Sequence, residues 1–228
     1  MKKINRLFVN LALCWISLPG MARSATPSAT VNNNAILLKA TAPYEDMAHY
    51  AIGKKDDLVL KYLALADAGA SDVAKLLPSG EARQFEALRQ SIHQAIAKKD
   101  RRAAADSAVT IFRMLIDRLD ADSLVVPREV ELLDYAGYKL EVLAAASKQD
   151  WKAIAALASE SDGWWNMMSG KVIDKHLRAT VASAVAGIKQ AAAEKNVAML
   201  QLGSQMILDL VDMLEDGFKA AKANPAPK

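Results

Sequence analysis

The stretch ATVASAVAGIKQAAAEKNVAMLQLGSQMILDLVDMLEDGF (179–218) decides the fold class. Ala, Val, Leu, Ile and Met recur in it at three- and four-residue spacing on both sides of a polar break, Ala193-Glu194-Lys195-Asn196. That is the period of amphipathic helices, so the stretch predicts a helical hairpin. An earlier segment, SIHQAIAKKDRRAAADSAVTIFRMLIDRLD (91–120), echoes it. Ile92 falls on Ile188, Gln94 on Gln190, Ala95 on Ala191 and Lys99 on Lys195, all 96 positions apart (188 − 92). Past the turn Asp117 falls on Asp212 and Leu119 on Leu214, 95 positions apart (212 − 117). The chain reads as a tandem duplication of a helical unit.

Working outward, the rest is also helices and short breaks. Lys54-Lys55-Asp56 recurs as Lys148-Gln149-Asp150 at an offset of 94 (148 − 54). The expected helices span 43–53, 58–69, 81–98 and 101–120 in the first copy. In the second they span 128–147, the longest, then 151–159, 171–193 and 197–218. Pro43 should sit in a first turn, where its missing N–H costs nothing, and Asp57 and Ser79 should cap the helices that follow them. A loop is expected at 161–163, ahead of Trp164-Trp165. No segment alternates with period two between hairpin turn signals, so almost no sheet is expected. The fold class is all-α: two copies of a four-helix, two-hairpin unit, about eight helices forming one or two bundles. The first copy covers 43–120, a linker 121–127 and the second copy 128–218. Residues 23–42 read as a flexible spacer and 219–228 as a polar tail.

The N-terminus bears on compartment. Lys2, Lys3 and Arg6 precede an apolar run, LFVNLALCWI (7–16), and a small-residue exit, Gly20-Met21-Ala22. This is the pattern of a secretory signal peptide over 1–22, with a soluble periplasmic product. The run is shorter than the roughly 20 residues that span a bilayer, so no transmembrane segment is expected after cleavage. Cys14 invites lipidation, but Leu13 stands where a small residue is usual. The chain holds 29 Lys and Arg against 26 Asp and Glu. Without Lys2, Lys3 and Arg6 the counts match, and no basic excess argues for nucleic acid. Cys14 is the one cysteine, so the exported product has no disulfide and depends on its core.

Catalytic constellations are thin. His49, His93 and His176 lie in no HExxH motif, and there is no GxSxG elbow or glycine-rich phosphate loop. Absence of CxxCH excludes covalent c-type haem. Asp46-x-x-His49 offers at most half of a di-iron site. The most unusual stretch is Trp164-Trp165-Asn166-Met167-Met168, with His176 beyond it. Thioether and imidazole are soft ligands suited to copper, and Met47 with His49 offers a second such pair. Adjacent Trp and Met also plug gaps in a bundle core. Asp117 and Asp212, present in both copies, suggest a shared cationic partner. Two function classes remain. The first is a non-enzymatic binding or accessory protein for a partner protein or ligand at the seam between the copies, with Trp164, Trp165, Asp117 and Asp212 as contacts. The second is a carrier of copper or non-covalent haem, using Met167, Met168, His176, Met47 and His49.

Overall fold

The computed structural model describes residues 29–224, and their side chains from residue 33 onward. The expected leader, its cleavage site and Cys14 lie outside the described residues, as does the end of the tail beyond 224. The described residues form eight α-helices: α1 (Ala29–Ile52), α2 (Asp56–Leu76), α3 (Ser79–Ala97), α4 (Arg101–Ile116), α5 (Arg128–Ala144), α6 (Trp151–Met168), α7 (Lys175–Glu194) and α8 (Val197–Ala223). Short 3-10 turns occur at Ala121–Ser123 and Ser169–Lys171, and there is no strand among the described residues.

α1 lies against α2 and α4, and α3 against α4. In the second half α5 lies against α6 and α8, and α7 against α6 and α8. α5 also packs on α4 and α1, which joins the halves. The buried residues form one continuous cluster that includes Met47, Phe85, Phe112 and Leu115 of the first half and Leu133, Leu140, Ile154 and Ile188 of the second. Each such side chain contributes roughly 1.5–3 kcal/mol relative to exposure.

Several sequence expectations need correction. The spacer expected at 23–42 is helical from Ala29, so Pro43 lies inside α1 and not in a first turn. Leu37, Thr41, Tyr44 and Ala48 bury one stripe at three- and four-residue spacing. The polar residue that read as spacer is used: buried Asn34 donates to the Asp120 carbonyl at 2.9 Å and to Ser123 Oγ at 2.8 Å. It also accepts from the Asp120 N–H at 2.9 Å, tying α1 to the end of the first half. Neither expected cap forms. α2 starts two residues early, behind Lys55, and α3 starts at Ser79 itself, behind Pro78. α4 stops at Ile116, and the linker contains a 3-10 turn.

In the second half α5 ends at Ala144 and is not the longest helix: it has 17 residues and α8 has 27. Gln149 Nε2 donates to the carbonyls of Ala144 (3.2 Å) and Ala146 (2.7 Å) and closes the end of α5. No loop interrupts 161–163. Ser161 donates back to the Leu157 carbonyl at 2.8 Å and Gly163 is exposed, so α6 runs on to Met168. α7 starts at Lys175 because Asp174 accepts from the N–H groups of His176 (2.8 Å) and Leu177 (3.1 Å). Those bonds hold the Asp174 carboxyl below its usual range. Residues 219–223 belong to α8 and not to a tail.

Two glycines set the close approach of α8. A Cβ on Gly137 of α5 would lie 2.5 Å from Leu208 Cδ2, and one on Gly203 of α8 would lie 2.7 Å from Ile188 Cγ1 of α7. Nothing within 4 Å opposes a Cβ at Gly163 or Gly217. Gly203→Ala should therefore destabilise the fold by about 1–3 kcal/mol through overpacking. Gly163→Ala should stabilise it by about 0.5–1 kcal/mol, as glycine yields to alanine on an exposed helix. Urea melts of both variants check this, and equal effects would refute the packing account.

Tyr44 is 2% exposed, meets Phe85 edge-on at 6.3 Å, and its hydroxyl has no hydrogen-bond partner. Burial pushes this phenol above its ordinary range, against a smaller opposing pull from Arg89. A phenol with a raised folded-state pKa gives stability that is complete below the unfolded value, about 10, and is lost as pH climbs towards the folded value. Tyr44→Phe removes an unsatisfied buried hydroxyl and should leave Tm at neutral pH unchanged or higher. It should also flatten the fall in Tm above about pH 10. Thermal melts at pH 8 and pH 11 measure both; a clear drop at pH 8 would show that the hydroxyl has a partner after all.

Candidate functional site

The Trp-Trp-Asn-Met-Met stretch forms the last turns of α6, so its side chains fan out around a helix. Trp164 and Trp165 are 8% and 5% exposed, Met168 is fully buried, and Met167 is 61% exposed. The two thioethers thus leave the helix on different sides, one into the core and one into solvent. His176 is exposed in the first turn of α7. Met47 is fully buried, and residues two apart on a helix do not face each other, so Met47 and His49 do not make a pair. His49 instead places Nδ1 3.3 Å from Glu141 Oε2 on α5. No group of three or more His, Cys, Asp or Glu positioned for a metal occurs among the described residues.

What α6 contributes to is an aromatic seam. His49 of α1 meets Tyr138 of α5 edge-on at 6.4 Å, and Tyr138 meets Phe112 of α4 at 6.2 Å. Phe112 meets Tyr135 of α5 at 6.4 Å, and Tyr135 meets Trp164 of α6 at 6.4 Å. Such edge contacts each add about 0.5–1.5 kcal/mol beyond the area buried. The Arg113 guanidinium lies 5.2 Å from the ring centroids of both Tyr135 and Trp164. Its Nε also reaches both carboxylate oxygens of Asp117 at 3.0 Å, and Glu160 stands 3.7 Å from Nη1. Asp117 therefore has an arginine partner one turn away, while Asp212 is exposed on α8. Burial raises the Tyr135 phenol above its ordinary range, and Arg113 pulls it the other way.

Arg113, Tyr135, Tyr138 and Glu141 were not among the sequence candidates. Arg113 four residues before Asp117, and two tyrosines three apart on one helix, are the signals that point to them.

Clefts among the described residues include two of note. One, of about 270 Å³, lies between α3 and α4 and is lined by Glu81, Gln84, Thr110, Arg113, Met114, Asp117 and Arg118. Arg118 Nε stands 3.1 Å from Glu81 Oε2 but out of line for a hydrogen bond. The other, of about 390 Å³, lies where α1, α5 and α8 meet, between Ile52, Glu141, Ala145, Ala198, Gln201 and Leu202. It continues into the outer face of α8. There Leu202 is 59% exposed, and Met206 and Met213 are exposed at offsets of four and eleven from it, one face of a helix. Exposed Asp209 and Asp216 share that face. α8 is long and apolar enough to cross a membrane by length and composition, but its other side, with Leu200, Ile207, Leu210, Val211 and Leu214, is buried in the bundle.

Met168→Ala should cost about 2–5 kcal/mol as a core deletion, and Met167→Ala should stay within about 0.5 kcal/mol. Urea melts and indole fluorescence distinguish them. Equal costs, or quenching by copper or haem that either substitution abolishes, would return both thioethers to a ligand site.

Comparisons with protein-family models, with curated proteins and with solved structures gave no match.

Proposed function

We propose that this chain is an exported, periplasmic helical protein of two four-helix repeats. It acts without chemistry of its own, by binding a partner protein along α8 and the cleft at the seam. The observation that carries this reading is the unpartnered Leu202, Met206 and Met213 stripe, running into the cleft beside Ile52 and Ala145. Apolar patches rimmed by polar residues mark interaction sites, and methionine adapts to the shape of what it meets. Asp209 and Asp216 on the same face favour a partner that is basic as well as apolar.

Export is supported by the charged start, short apolar run and small-residue exit over 1–22. Duplication is supported by the constant offsets between the copies and by the matching neighbours: α1 with α2 and α4, and α5 with α6 and α8. An enzymatic role has less to stand on. His49 is engaged with Glu141, and His93 with Asp67 at 3.1 Å, a carboxylate in each case.

Replacing Leu202, Met206 and Met213 together by Ser should leave Tm within a few degrees, because all three are exposed. It should also remove proteins that the parent chain retains from a periplasmic extract. Retention of the same proteins by both chains, at equal yield, would reduce the stripe to ordinary surface.

A further inference from the structure

Four connections lie at one end of the bundle: those after α1, α3, α5 and α7. The salt bridge from Arg101 to Asp56, 2.7 Å to each carboxylate oxygen, brings the first two together. The cleft lined by Ile52, Ala145 and Ala198 brings the end of α1, the end of α5 and the start of α8 together. Arg101 first, and Lys99 among other groups, hold the Asp56 carboxyl below its usual range.

Three of these connections share one geometry. Lys54, Lys99 and Lys195 have φ of 57°, 57° and 54°, in the left-handed region. In each the next residue donates its N–H back across the turn: Lys55 to Tyr50 at 2.9 Å, Asp100 to Ala95 at 2.8 Å, Asn196 to Ala191 at 2.9 Å. This is the Schellman closure, whose left-handed position is normally glycine or asparagine because a Cβ there costs free energy. Lysine fills it three times, and in the first turn Gly53 stands directly beside it without taking the position. Backbone strain repeated in this way, where a cheaper residue would close the turn, marks side chains kept for what they present.

What they present is positive charge. Lys54, Lys55, Lys98, Lys99, Arg102, Lys148 and Lys195 are exposed at this end, and none is in an ion pair among the described residues. The neighbouring acids, Asp56, Asp57, Asp100, Asp150 and Glu194, are fewer than the cations and offset them only in part. Asp100 and Asp150 cap α4 and α6 by accepting backbone N–H groups, and Asp56 is held by Arg101. The cations are spread over the end of the bundle and not along a groove, and none of the residues 53–55, 98–100, 145–150 or 195–196 is aromatic. A single-stranded nucleic acid needs stacking platforms in a groove. Exposed Leu60 and Leu202 stand about one turn back from this end, on α2 and α8. Basic side chains with nearby exposed leucines match the headgroup zone of a bilayer.

We propose that this lysine-bearing end of the bundle is an electrostatic docking surface for an anionic phospholipid bilayer. It borders the α8 face at Leu202, but its cations lie outside that face and it does not depend on the partner reading.

The test compares variants that carry the same N-terminus, by co-sedimentation with vesicles of phosphatidylglycerol and phosphatidylcholine and with vesicles of phosphatidylcholine alone. The parent chain should bind the anionic vesicles, lose that binding as salt rises, and ignore the neutral ones. The triple variant Lys54→Gly, Lys99→Gly, Lys195→Gly relaxes the three left-handed positions. It should melt at the same temperature as the parent or higher, while partitioning about 100-fold more weakly, near fivefold per lysine. Replacing Lys75, Lys171 and Lys222 by Gln, away from this end, should leave binding unchanged. Three results would each overturn the proposal: no binding to anionic vesicles, equal loss in the Lys75, Lys171, Lys222 variant, or binding that polyglutamate draws while anionic vesicles do not.

Discussion

Burial of α5 on nearly every side is the constraint on which the structure depends. Most helices here bury one stripe, but α5 buries an apolar face of Val130, Leu132, Leu133, Ala136, Gly137, Leu140 and Ala144 and, around the rest of the cylinder, Val142 and the carboxylates Glu131 and Asp134. It packs on α6 and α8 in its own half and on α4 and α1 in the other. A helix covered on most of its sides needs neighbours on all of them, and buried carboxylates need partners there as well. The first half therefore supplies part of the solvent-free environment that α5 needs, and the two halves share one cluster of buried side chains. Each half alone would expose one face of α5 or the surfaces of α1 and α4 that cover it.

That constraint also explains where polar groups are placed. Helices packed this closely leave little room for unpaired donors, so the polar residues at the junction are tied to named partners. Asn34 spends its side chain on the backbone and hydroxyl of the segment after α4. Lys139 of α5 reaches Asp106 of α4 at 2.5 Å, and His49 of α1 reaches Glu141 of α5. Arg113 lies against two aromatic faces and a carboxylate at once. Contacts between the halves thus combine apolar burial with directional bonds, which fixes the angle between them more narrowly than apolar burial alone.

The helical class, the number of helices and most turn positions were legible in the sequence because they rest on local periodicity and on Lys-Lys-Asp and Lys-Gln-Asp signals. The misread boundaries share a cause: a residue was judged by its average preference and tertiary contacts decided otherwise. Pro43 reads as a helix start, yet α1 runs through it because Leu37 and Thr41, six and two residues earlier, are buried. Ser161-Asp162-Gly163 reads as a loop, yet Ser161 bonds within the helix and Asp162 is held by Lys189 of α7 at 2.7 Å. Restoring that stretch to α6 rotates Trp164, Trp165 and Met168 into the core. The residues that looked most like a soft-ligand site are in large part packing, and only Met167 and His176 of that group remain at the surface.

Composition pointed in the same misleading direction for charge. Counted over the chain without its first 22 residues, cations and anions balance, and a balanced count suggests a surface with no preferred electrostatic partner. Balance in number is not balance in place. The helix N-caps at the turn end engage the carboxylates of Asp100 and Asp150, while Lys54, Lys99 and Lys195 stand exposed in left-handed positions at the same end. On α8 the outcome is reversed: Asp209 and Asp216 accompany exposed Leu and Met. A chain with nearly equal charges thus presents a cationic end and, on one helix, an acidic apolar face. Only the folding of the turns onto one end separates the two.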